Sequence, residues 1–561
     1  MSRTAPLARN IFPLLVLALV LVPFASASGP YVIGSQNTVT ADPNITRPFT
    51  TPCVVRLFQE AEFDNFNGYN FTYTPPADCP GPWAKVIFVT DVNVTAGNQF
   101  DRTANFWLGP TNIYFGTTAE PSATFGPSWH VEKDLTDYSP IFSTTQQGTA
   151  DIGNLVNSTY TGIIFASAWL EFYPVAKRQT APVTADQVLA LSAGTTGGTV
   201  TLSSPTDTLS GTFTFPLNVQ AAYLDVYAQG QSSTEEFWYT CVPNDVAAEL
   251  ESCGNTPFRE TEVTIDGQPA GVAPIFPWIF TGGIDPFLWF PIPGVQTLNF
   301  TPYRVNLTPF AGLLSNGQPH TVALSVFNAD SYFSATANLL LYTDPDGNQT
   351  SGAVTQNSLA APSPVVNEDL HVKASAIWGR VDVSSNRSFA ITGYVNTSHG
   401  KVTTKVAQTE NFYNYQTFDI TAQEYVQDIT QGTIVSASTT VSQAGAPTIV
   451  DKHDYTFPLT VDITELTLSN GNINQITTAK QTYQENTSTT QAGKVTFASS
   501  LQNAGQHVDT LELDSSFNLL GNAGQSGSQQ YSYVNSNGAV YNCTISAAAN
   551  VLTAFGPGCE Q

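Results

Sequence analysis

The sequence of 561 residues is poor in charged side chains, and poorest in basic ones. Lys and Arg total 19 against 44 Asp and Glu, which gives a formal net charge of -25. No run or patch of basic residues stands out along the chain. Because nucleic acids and anionic membrane surfaces attract proteins through Lys and Arg, we expect neither as a partner.

The short motifs of metal, nucleotide and serine-hydrolase chemistry are also missing. The six histidines are scattered, with no HxH or HExxH spacing, and no paired Cys/His arrangement occurs. No GxSxG elbow, phosphate-binding glycine loop or dinucleotide fingerprint is present. We therefore expect no metal and no cofactor. Carboxylates remain as the chemical groups, beside abundant aromatic residues that suit the faces of sugars.

The N-terminus predicts an extracellular route. Arg3 and Arg9 precede an apolar run, Ile11–Phe24, and small residues follow at Ala25–Ala27. The run is too short to span a bilayer comfortably, so residues 1–27 are predicted to be a signal peptide. No later stretch predicts a membrane anchor. We expect a secreted or vacuolar protein.

The cysteines fit that route. None stands in a CxxC arrangement, so disulfides are favoured over a zinc site. They fall into three pairs that are close in sequence, and nearest-neighbour pairing is predicted, with other connectivities left open. The cysteines are Cys53, Cys79, Cys241, Cys253, Cys543 and Cys559.

Almost no segment has helical periodicity. Period-two segments rich in Thr, Val, Tyr and Phe dominate, separated by Gly, Pro, Asn and Asp; "WAKVIFVTDVNV" (Trp83–Val94) is one example. Many short strands at this spacing predict an all-β protein of sandwiches or jelly rolls.

Two breaks divide the chain. The first carries a dibasic pair, Lys177-Arg178, which resembles a processing site; an ordinary surface or linker charge is the alternative. The second is a Ser/Ala/Pro stretch that predicts a linker. We expect domains at 28–178 and 185–348, a linker at 349–366 and a β-rich C-terminal domain at 367–561.

Asp101 and Arg102 stand together at the head of a predicted strand, in "FDRTANFWL". Neighbouring strand residues point to opposite faces, so the two side chains are not expected to pair with each other. Asp101 would share its face with Trp107 and could line a cleft. An exposed turn acid is the plainer alternative.

A second candidate group is "STEEFWYTCVPND" (Ser233–Asp245). Glu235 and Glu236 directly precede an aromatic cluster that includes Trp238. Carboxylates beside aromatic rings are typical of a carbohydrate site, and a disulfide at Cys241 would stiffen the segment. A strand end with core aromatics is the alternative.

Other acids lie in two loops. Glu120, Asp134 and Asp137 belong to Gly116–Phe142, where Asp134 is as well suited to be a helix cap as a catalyst. The Gly/Pro-dense stretch Pro274–Gly294 carries Asp285, Trp278 and Trp289. Long irregular aromatic loops are often binding loops, and a loop that caps a sandwich is the alternative.

Four long motifs carry a family resemblance: "GTTAEPS" with "WHVEKDLTDY", then "EEFWYTCVP", "FRETEVTIDGQPAGVAPIFPWIFTGGIDPFLWFPIPG" and "YRVNLTPFAGLLSNGQPHTVALSVFN". Over roughly residues 50–345 the sequence resembles the peptide-N4-(N-acetyl-β-glucosaminyl)asparagine amidase A family of plants and fungi. The resemblance implies hydrolysis of the amide between the innermost N-acetylglucosamine and asparagine, at acidic pH and without a metal. N-glycosylated peptides or proteins would be the substrates.

A more distant resemblance links "FDRTANFWL" and "VEKDLTDYSPIF" to the bacterial peptide-N-glycosidase F enzymes. It implies two adjacent jelly rolls with the site between them, Asp101 as catalytic acid or base, and Glu236 as its partner. A third acid of those enzymes has no counterpart here, where "FASAWLEF" offers Ser167.

The remaining candidates are assigned to substrate binding. Arg102 and Glu236 would orient the sugar and the amide. Three tryptophans would serve as sugar platforms, and three further acids would contact substrate. These residues are Trp107, Trp238, Trp289, Glu120, Glu235 and Asp285.

Two rival functions stay open: a secreted carbohydrate-binding or cell-wall protein without catalysis, and a glycoside hydrolase that uses a carboxylate pair. Cleavage after Arg178 would give a two-chain form.

Overall fold

The computed structural model describes residues 31–373 and 375–560. The predicted signal peptide, residues 1–27, lies outside the described residues. Within the described ranges no helix is long and apolar enough to cross a membrane. The helices are α1 (Ser232–Glu235), α2 (Ala311–Leu314) and the 3-10 turns Thr136–Ser143, Trp238–Thr240, Pro286–Trp289, Thr308–Phe310 and Pro557–Glu560. Strands form nearly all other regular structure, so the all-β prediction is confirmed.

The first eight strands form two four-stranded antiparallel sheets. They are β1 (Cys53–Phe63), β2 (Tyr69–Tyr73), β3 (Trp83–Val94), β4 (Thr103–Leu108), β5 (Thr111–Thr117), β6 (Ser128–Asp134), β7 (Gln146–Ile152) and β8 (Ile164–Pro174). The strand orders are β1-β8-β3-β6 and β2-β7-β4-β5. Phe88 of one sheet packs on Phe106 of the other, with ring centroids 5.8 Å apart. The two sheets therefore share one core as a sandwich.

The next nine strands form a second pair of sheets. They are β9 (Gln187–Leu191), β10 (Val200–Leu202), β11 (Leu209–Thr214), β12 (Val219–Gly230), β13 (Glu260–Ile265), β14 (Gln268–Pro274), β15 (Tyr303–Asn306), β16 (Pro319–Val326) and β17 (Phe333–Thr343). One sheet has the order β10-β17-β12-β15, with β9 also on β17, and the other β11-β16-β13-β14. Leu224, Leu339 and Val263 belong to the buried cluster between these sheets.

The C-terminal region is one antiparallel sheet of eleven strands, in sequential order apart from β19, which pairs with β20. The strands are β18 (Ser351–Asn357), β19 (Val365–Lys373), β20 (Ala376–Thr397), β21 (Gly400–Thr421), β22 (Glu424–Gln443), β23 (Ile449–Thr467), β24 (Ile473–Gln491), β25 (Lys494–Leu513), β26 (Leu519–Asn535), β27 (Val540–Ala548) and β28 (Val551–Phe555). We call it the C-terminal sheet.

The segment 349–366 differs from the predicted linker. Its first half forms β18, which pairs antiparallel with β20 from Ser351↔Asn396 to Asn357↔Ile391. The strand lies at a sheet edge and is largely exposed, so it lacks the alternation of buried apolar residues that marks a strand in sequence. The division into domains and the jelly-roll connectivity stay predictions.

All three predicted disulfides are confirmed: Cys53–Cys79, Cys241–Cys253 and Cys543–Cys559. Each bond closes a local segment of one region. The Cys241–Cys253 bond lies just after the Glu235-Glu236 segment, as expected.

The three sheet systems meet at a buried aromatic cluster. Phe115 of the first sandwich contacts Tyr227 of the second, with ring centroids 5.6 Å apart. Phe276 follows β14 and packs on Phe457 and Tyr483 of the C-terminal sheet. The long segment 275–302, which we call the glycine loop, therefore lies between both sandwiches and the C-terminal sheet.

Candidate active site

Asp101 and Arg102 lie directly before β4, where the chain runs beside residues 118–120. The backbone N–H of Asp101 donates to Oε1 of Glu120 at 3.0 Å, and that of Arg102 donates to Oγ1 of Thr118 at 2.8 Å. Within β4, Ala104, Phe106 and Leu108 belong to the buried core of the first sandwich.

The glycine loop reaches this strand head from the second sandwich. The backbone N–H of Gly282 donates to Oδ2 of Asp101 at 3.0 Å. The hydroxyl of Thr281 donates to the carbonyl of Thr118 at 2.7 Å. Two hydrogen bonds between the sandwiches thus fix the loop against Asp101.

Position 282 has room for glycine alone. A Cβ atom built there would lie 2.2 Å from Oε1 of Glu120 and 3.4 Å from Cγ of Asp101. Both carboxyl groups therefore border Gly282. A close approach of a backbone to functional groups is a usual reason for glycine in a loop.

Glu236 comes to the same place from the second sandwich. It follows β12 and α1, and its backbone N–H donates to the carbonyl of Ser232 at 3.0 Å. A Cβ built on Gly283 would lie 3.4 Å from Oε1 of Glu236. Asp101, Glu120 and Glu236 thus converge on Gly282-Gly283; we call these three residues the carboxylate cluster.

Burial raises the pKa of every member of the cluster, and the charge of Asp101 adds to the rise at the two glutamates. Burial raises the pKa of Asp101 to about 6, although the Gly282 N–H and the Arg102 charge oppose the rise. Burial, together with the charge of Asp101, raises the pKa of Glu120 and of Glu236 to about 8. At a pH between about 6 and 8, Asp101 is an ionised carboxylate, whereas Glu120 and Glu236 are neutral carboxylic acids. That distribution separates a proton acceptor from proton donors.

Arg102 lies at the exposed side of the cluster. Its guanidinium lies 5.9 Å from the ring centroids of both Phe100 and Tyr160, and Nη2 donates to Oε1 of Gln99 at 2.5 Å. Phe100 is 51% exposed. Its charge lowers the pKa of Asp101 and of Glu120, so the cation lies near the carboxylates, and its substrate-binding role stays a prediction.

Glu235 differs from its prediction as a substrate contact. Its side chain is fully buried, and both carboxylate oxygens accept hydrogen bonds of 3.3 Å from the guanidinium of Arg259. Oε1 also accepts from the backbone N–H of Asp330 at 2.7 Å. Because adjacent residues point in different directions, Glu235 anchors the second sandwich while Glu236 faces Gly283.

The three predicted sugar platforms are core residues. Trp107 is 1% exposed and packs under Gly197, and Trp238 belongs to the core of the second sandwich. Trp289 is 3% exposed, and its Nε1 donates to the carbonyl of Gly283 at 2.8 Å. None offers a free face, so these assignments are wrong in this structure; Trp289 instead holds the glycine loop.

Asp285 also points away from the carboxylate cluster. It caps the 3-10 turn Pro286–Trp289 by accepting from the Phe287 N–H at 2.9 Å. Asp134 accepts from the Thr136 N–H at 3.0 Å, as a cap would, and Asp137 pairs with Arg304. Asp285, Asp134 and Asp137 thus bond to other groups of the protein, and these bonds give them structural roles.

Sequence reasoning missed four residues at the site: Gly282, Gly283, Phe100 and Tyr160. The Gly-Gly pair in an aromatic loop could have indicated Gly282 and Gly283 as site residues. Phe100 could have been found because it directly precedes Asp101. Tyr160 comes from a distant loop, and its ring centroid lies 5.1 Å from that of Phe100. Only the fold brings it there.

A cavity of about 840 Å³ lies elsewhere, between β6, the N-terminal segment and the C-terminal sheet. Its walls include Asp42, His130 and Tyr531 but no member of the carboxylate cluster. His130 and Glu132 there bond to each other at 3.1 Å. The cavity also holds perturbed groups, since burial raises the pKa of Asp42 to about 6, but the cluster brings together three carboxyl groups that all have a raised pKa and is the better candidate for acid–base chemistry.

Comparison with known proteins identifies the family of the chain. Residues 44–360 match the family model described as peptide N-acetyl-beta-D-glucosaminyl asparaginase amidase A. That match covers more than half of the chain, and the chain belongs to this family. The match contains every member of the carboxylate cluster and the whole glycine loop.

A curated relative, the peptide-N4-(N-acetyl-beta-glucosaminyl)asparagine amidase A of Prunus dulcis, is 32% identical over 387 residues. The alignment covers 65% of this chain and 66% of the relative. Among solved structures, PNGF-II matches 52% of this chain and 66% of its own, at 13% identity and a TM-score of 0.37. PNGase F, a glycosylasparaginase from Flavobacterium meningosepticum, matches 52% and 96%, at 12% identity and a TM-score of 0.33.

Proposed function

We propose that the protein is a glycoamidase. It hydrolyses the amide bond between the innermost N-acetylglucosamine of an N-glycan and the asparagine of a glycopeptide or glycoprotein. The family membership supports the reaction class. The observation that carries the proposal is the convergence of Asp101, Glu120 and Glu236 on Gly282-Gly283 between the two sandwiches.

Amide hydrolysis needs a proton acceptor for water and a proton donor for the leaving nitrogen. In our scheme the Asp101 carboxylate accepts a proton from water as the water oxygen bonds to the amide carbon. The C–N bond then breaks, and the nitrogen leaves as the glycosylamine after it receives a proton. The peptide is left with aspartate, and the released glycosylamine reacts with a second water to give ammonia and the intact glycan. A carboxyl in hydrogen-bond reach contributes about 10²–10⁴-fold to such a step.

Glu236 is the proton donor in this scheme. Its pKa of about 8 keeps it protonated at a pH where Asp101, with a pKa of about 6, is ionised. Glu120, with a similarly raised pKa, stays neutral and bonds the backbone of Asp101. Arg102 and the exposed ring of Phe100 contact the sugar or the amide from the solvent side.

Product analysis tests the reaction class. The purified protein is incubated with an N-glycopeptide in water labelled with heavy oxygen, and both products are weighed. A glycoamidase leaves aspartate that carries one labelled oxygen, together with a whole glycan. A glycosidase leaves a sugar on asparagine, and a binding protein leaves the substrate intact; either result would refute the proposal.

We also propose that the protein is secreted or vacuolar and is cut after Arg178. Three disulfides support an oxidising compartment. Lys177 and Arg178 are exposed in the turn after β8, where a protease could reach them. Reducing gel electrophoresis of the mature protein, with N-terminal sequencing of each band, tests both proposals. A single intact chain starting before residue 28 would refute them.

A further inference from the structure

The C-terminal sheet binds the backbone of the glycine loop directly. Three glutamine side-chain amides from β24 and β26 donate to loop carbonyls: Gln475 to Ile284 at 3.3 Å, Gln481 to Pro277 at 2.6 Å and Gln525 to Phe290 at 2.6 Å. Oε1 of Gln481 also accepts from the Val295 N–H at 2.8 Å. These glutamines lie outside residues 44–360, so the family match does not contain the surface that supports the loop.

A chain of contacts connects the sheet to Gly283. The ring of His507 on β25 packs on Trp289 with centroids 4.7 Å apart, and its Nδ1 lies 3.1 Å from the carbonyl of Leu288. Burial lowers the pKa of His507 to about 4, so the ring is neutral and Nδ1–H donates that bond. Trp289 in turn donates to Gly283. A shift of the sheet would therefore move the backbone beside Glu236.

A further link involves two acids. Asp285 in the loop and Asp509 on β25 are near enough for each carboxyl group to shift the pKa of the other. Oδ2 of each accepts no hydrogen bond from an N–H or O–H of the described residues, and Asp285 is fully buried. Two carboxyl groups can bond each other only when one of them holds a proton. One shared proton would give both buried Oδ2 atoms a partner.

We propose that the C-terminal sheet positions the glycine loop against Asp101, with Asp285 and Asp509 as a latch that a shared proton closes. Both are positioning residues, because neither contacts the carboxylate cluster. The consequence for catalysis rests on the proposed glycoamidase function. The docking of the glycine loop on the C-terminal sheet does not depend on that function.

The latch opens at high pH. Burial and the charge of Asp509 raise the pKa of Asp285 to about 8, and burial raises that of Asp509. The N–H groups of Phe287 and Leu288 face Asp285, and Asn522 and the Thr510 N–H face Asp509. Neutral His507 lies two residues away on the same strand. Above about pH 8 two carboxylates in contact repel, and the loop loses its anchor.

Hydrogen exchange of peptides from residues 279–292 tests the latch on the full-length protein. The variants are Asp509→Asn, which keeps a donor toward Asp285 at every pH, and Asp509→Ala, which removes it. Glu512→Gln is the matched control, since Glu512 is an exposed carboxylate on the same strand. Exchange is corrected for the intrinsic effect of pH.

We expect wild type and Glu512→Gln to lose protection in this segment as pH rises through about 8. Asp509→Asn keeps its protection, and Asp509→Ala exchanges about tenfold faster even at acidic pH. Wild-type protection that is unchanged across pH 8, or an Asp509→Ala loop that exchanges like wild type, would overturn the proposal. Because exchange needs no substrate, this outcome is independent of the glycoamidase test. On an active enzyme, Asp509→Ala should lower kcat more than it raises KM.

Discussion

The backbone N–H of Gly282 donates a 3.0 Å hydrogen bond to Oδ2 of Asp101, across the boundary between the two sandwiches. The bond holds an acid from the first sandwich beside a backbone from the second. It also opposes the rise in the pKa of Asp101 that burial causes. The site therefore depends on how closely the two sandwiches approach.

Gly282→Ala tests that approach. The new methyl group would lie 2.2 Å from Oε1 of Glu120, so the loop or Glu120 must move. Geometric errors of about 1 Å at an active site cost on the order of 10²-fold in rate. We expect a loss of glycan release of that order with the protein still folded, measured by initial rates and circular dichroism.

Gly153→Ala is its control, because a Cβ atom there meets nothing within 4 Å. That variant should keep wild-type activity. Equal activity of the two variants would contradict the account of position 282.

Glu235 and Glu236 are neighbours with opposite predicted effects on stability. Glu235→Gln leaves the buried guanidinium of Arg259 without its ion partner, and breaking such a pair costs about 3–5 kcal/mol. Glu236→Gln removes a carboxyl whose pKa burial has already raised, so its stability should match or exceed wild type. Chemical denaturation of both variants measures the difference. A Glu235→Gln variant as stable as Glu236→Gln would refute the structural role of Glu235.

The stability of the fold should decrease as pH rises. Asp101, Glu120 and Glu236 have pKa values above their ordinary ones, so the folded state binds more protons than the unfolded state over that window. The contribution of these groups to stability is therefore full below the ordinary carboxyl pKa of about 4 and is lost as pH rises through about 8. Glu120→Gln should raise Tm more at pH 8 than at pH 5. A larger gain in Tm at pH 5 than at pH 8 would contradict the predicted direction of the pH effect.

The pH dependence of activity follows from the same groups. In the free enzyme, kcat/KM should rise as Asp101 ionises near pH 6 and fall as Glu236 and Glu120 ionise near pH 8. Initial rates across that range at low substrate concentration measure the two limbs. A rate that keeps rising above pH 8 would show that no protonated glutamate is needed.

The sequence predicted the fold class and the strand head well, because both depend on local patterns. The strand that Asp101 and Arg102 precede begins at Thr103, and the short spacing of the cysteines paired them correctly. Trp107, Trp238 and Trp289 were misassigned because sequence does not distinguish a buried ring from an exposed one. Glu235 was misassigned because its partner, Arg259, is 24 residues away and lies beside it only in the folded chain.

The role of the C-terminal sheet could not be predicted from sequence. Its alternating Thr, Gln and Asn residues indicate strands but not what the strands contact. Asp285 and Asp509 are separated by 224 positions along the chain, and His507 and Trp289 by nearly as many. The contacts between these residues arise from sheet packing, which local sequence does not encode.

Asp101 is the proton acceptor of the proposed amide hydrolysis. The direct test is the rate of glycan release from an N-glycopeptide by wild type and Asp101→Asn, with Tm measured on the same samples. We predict a loss of about 10²-fold or more, since asparagine cannot accept a proton from water, with Tm near the wild-type value. Release by Asp101→Asn at a rate close to wild type would contradict the account.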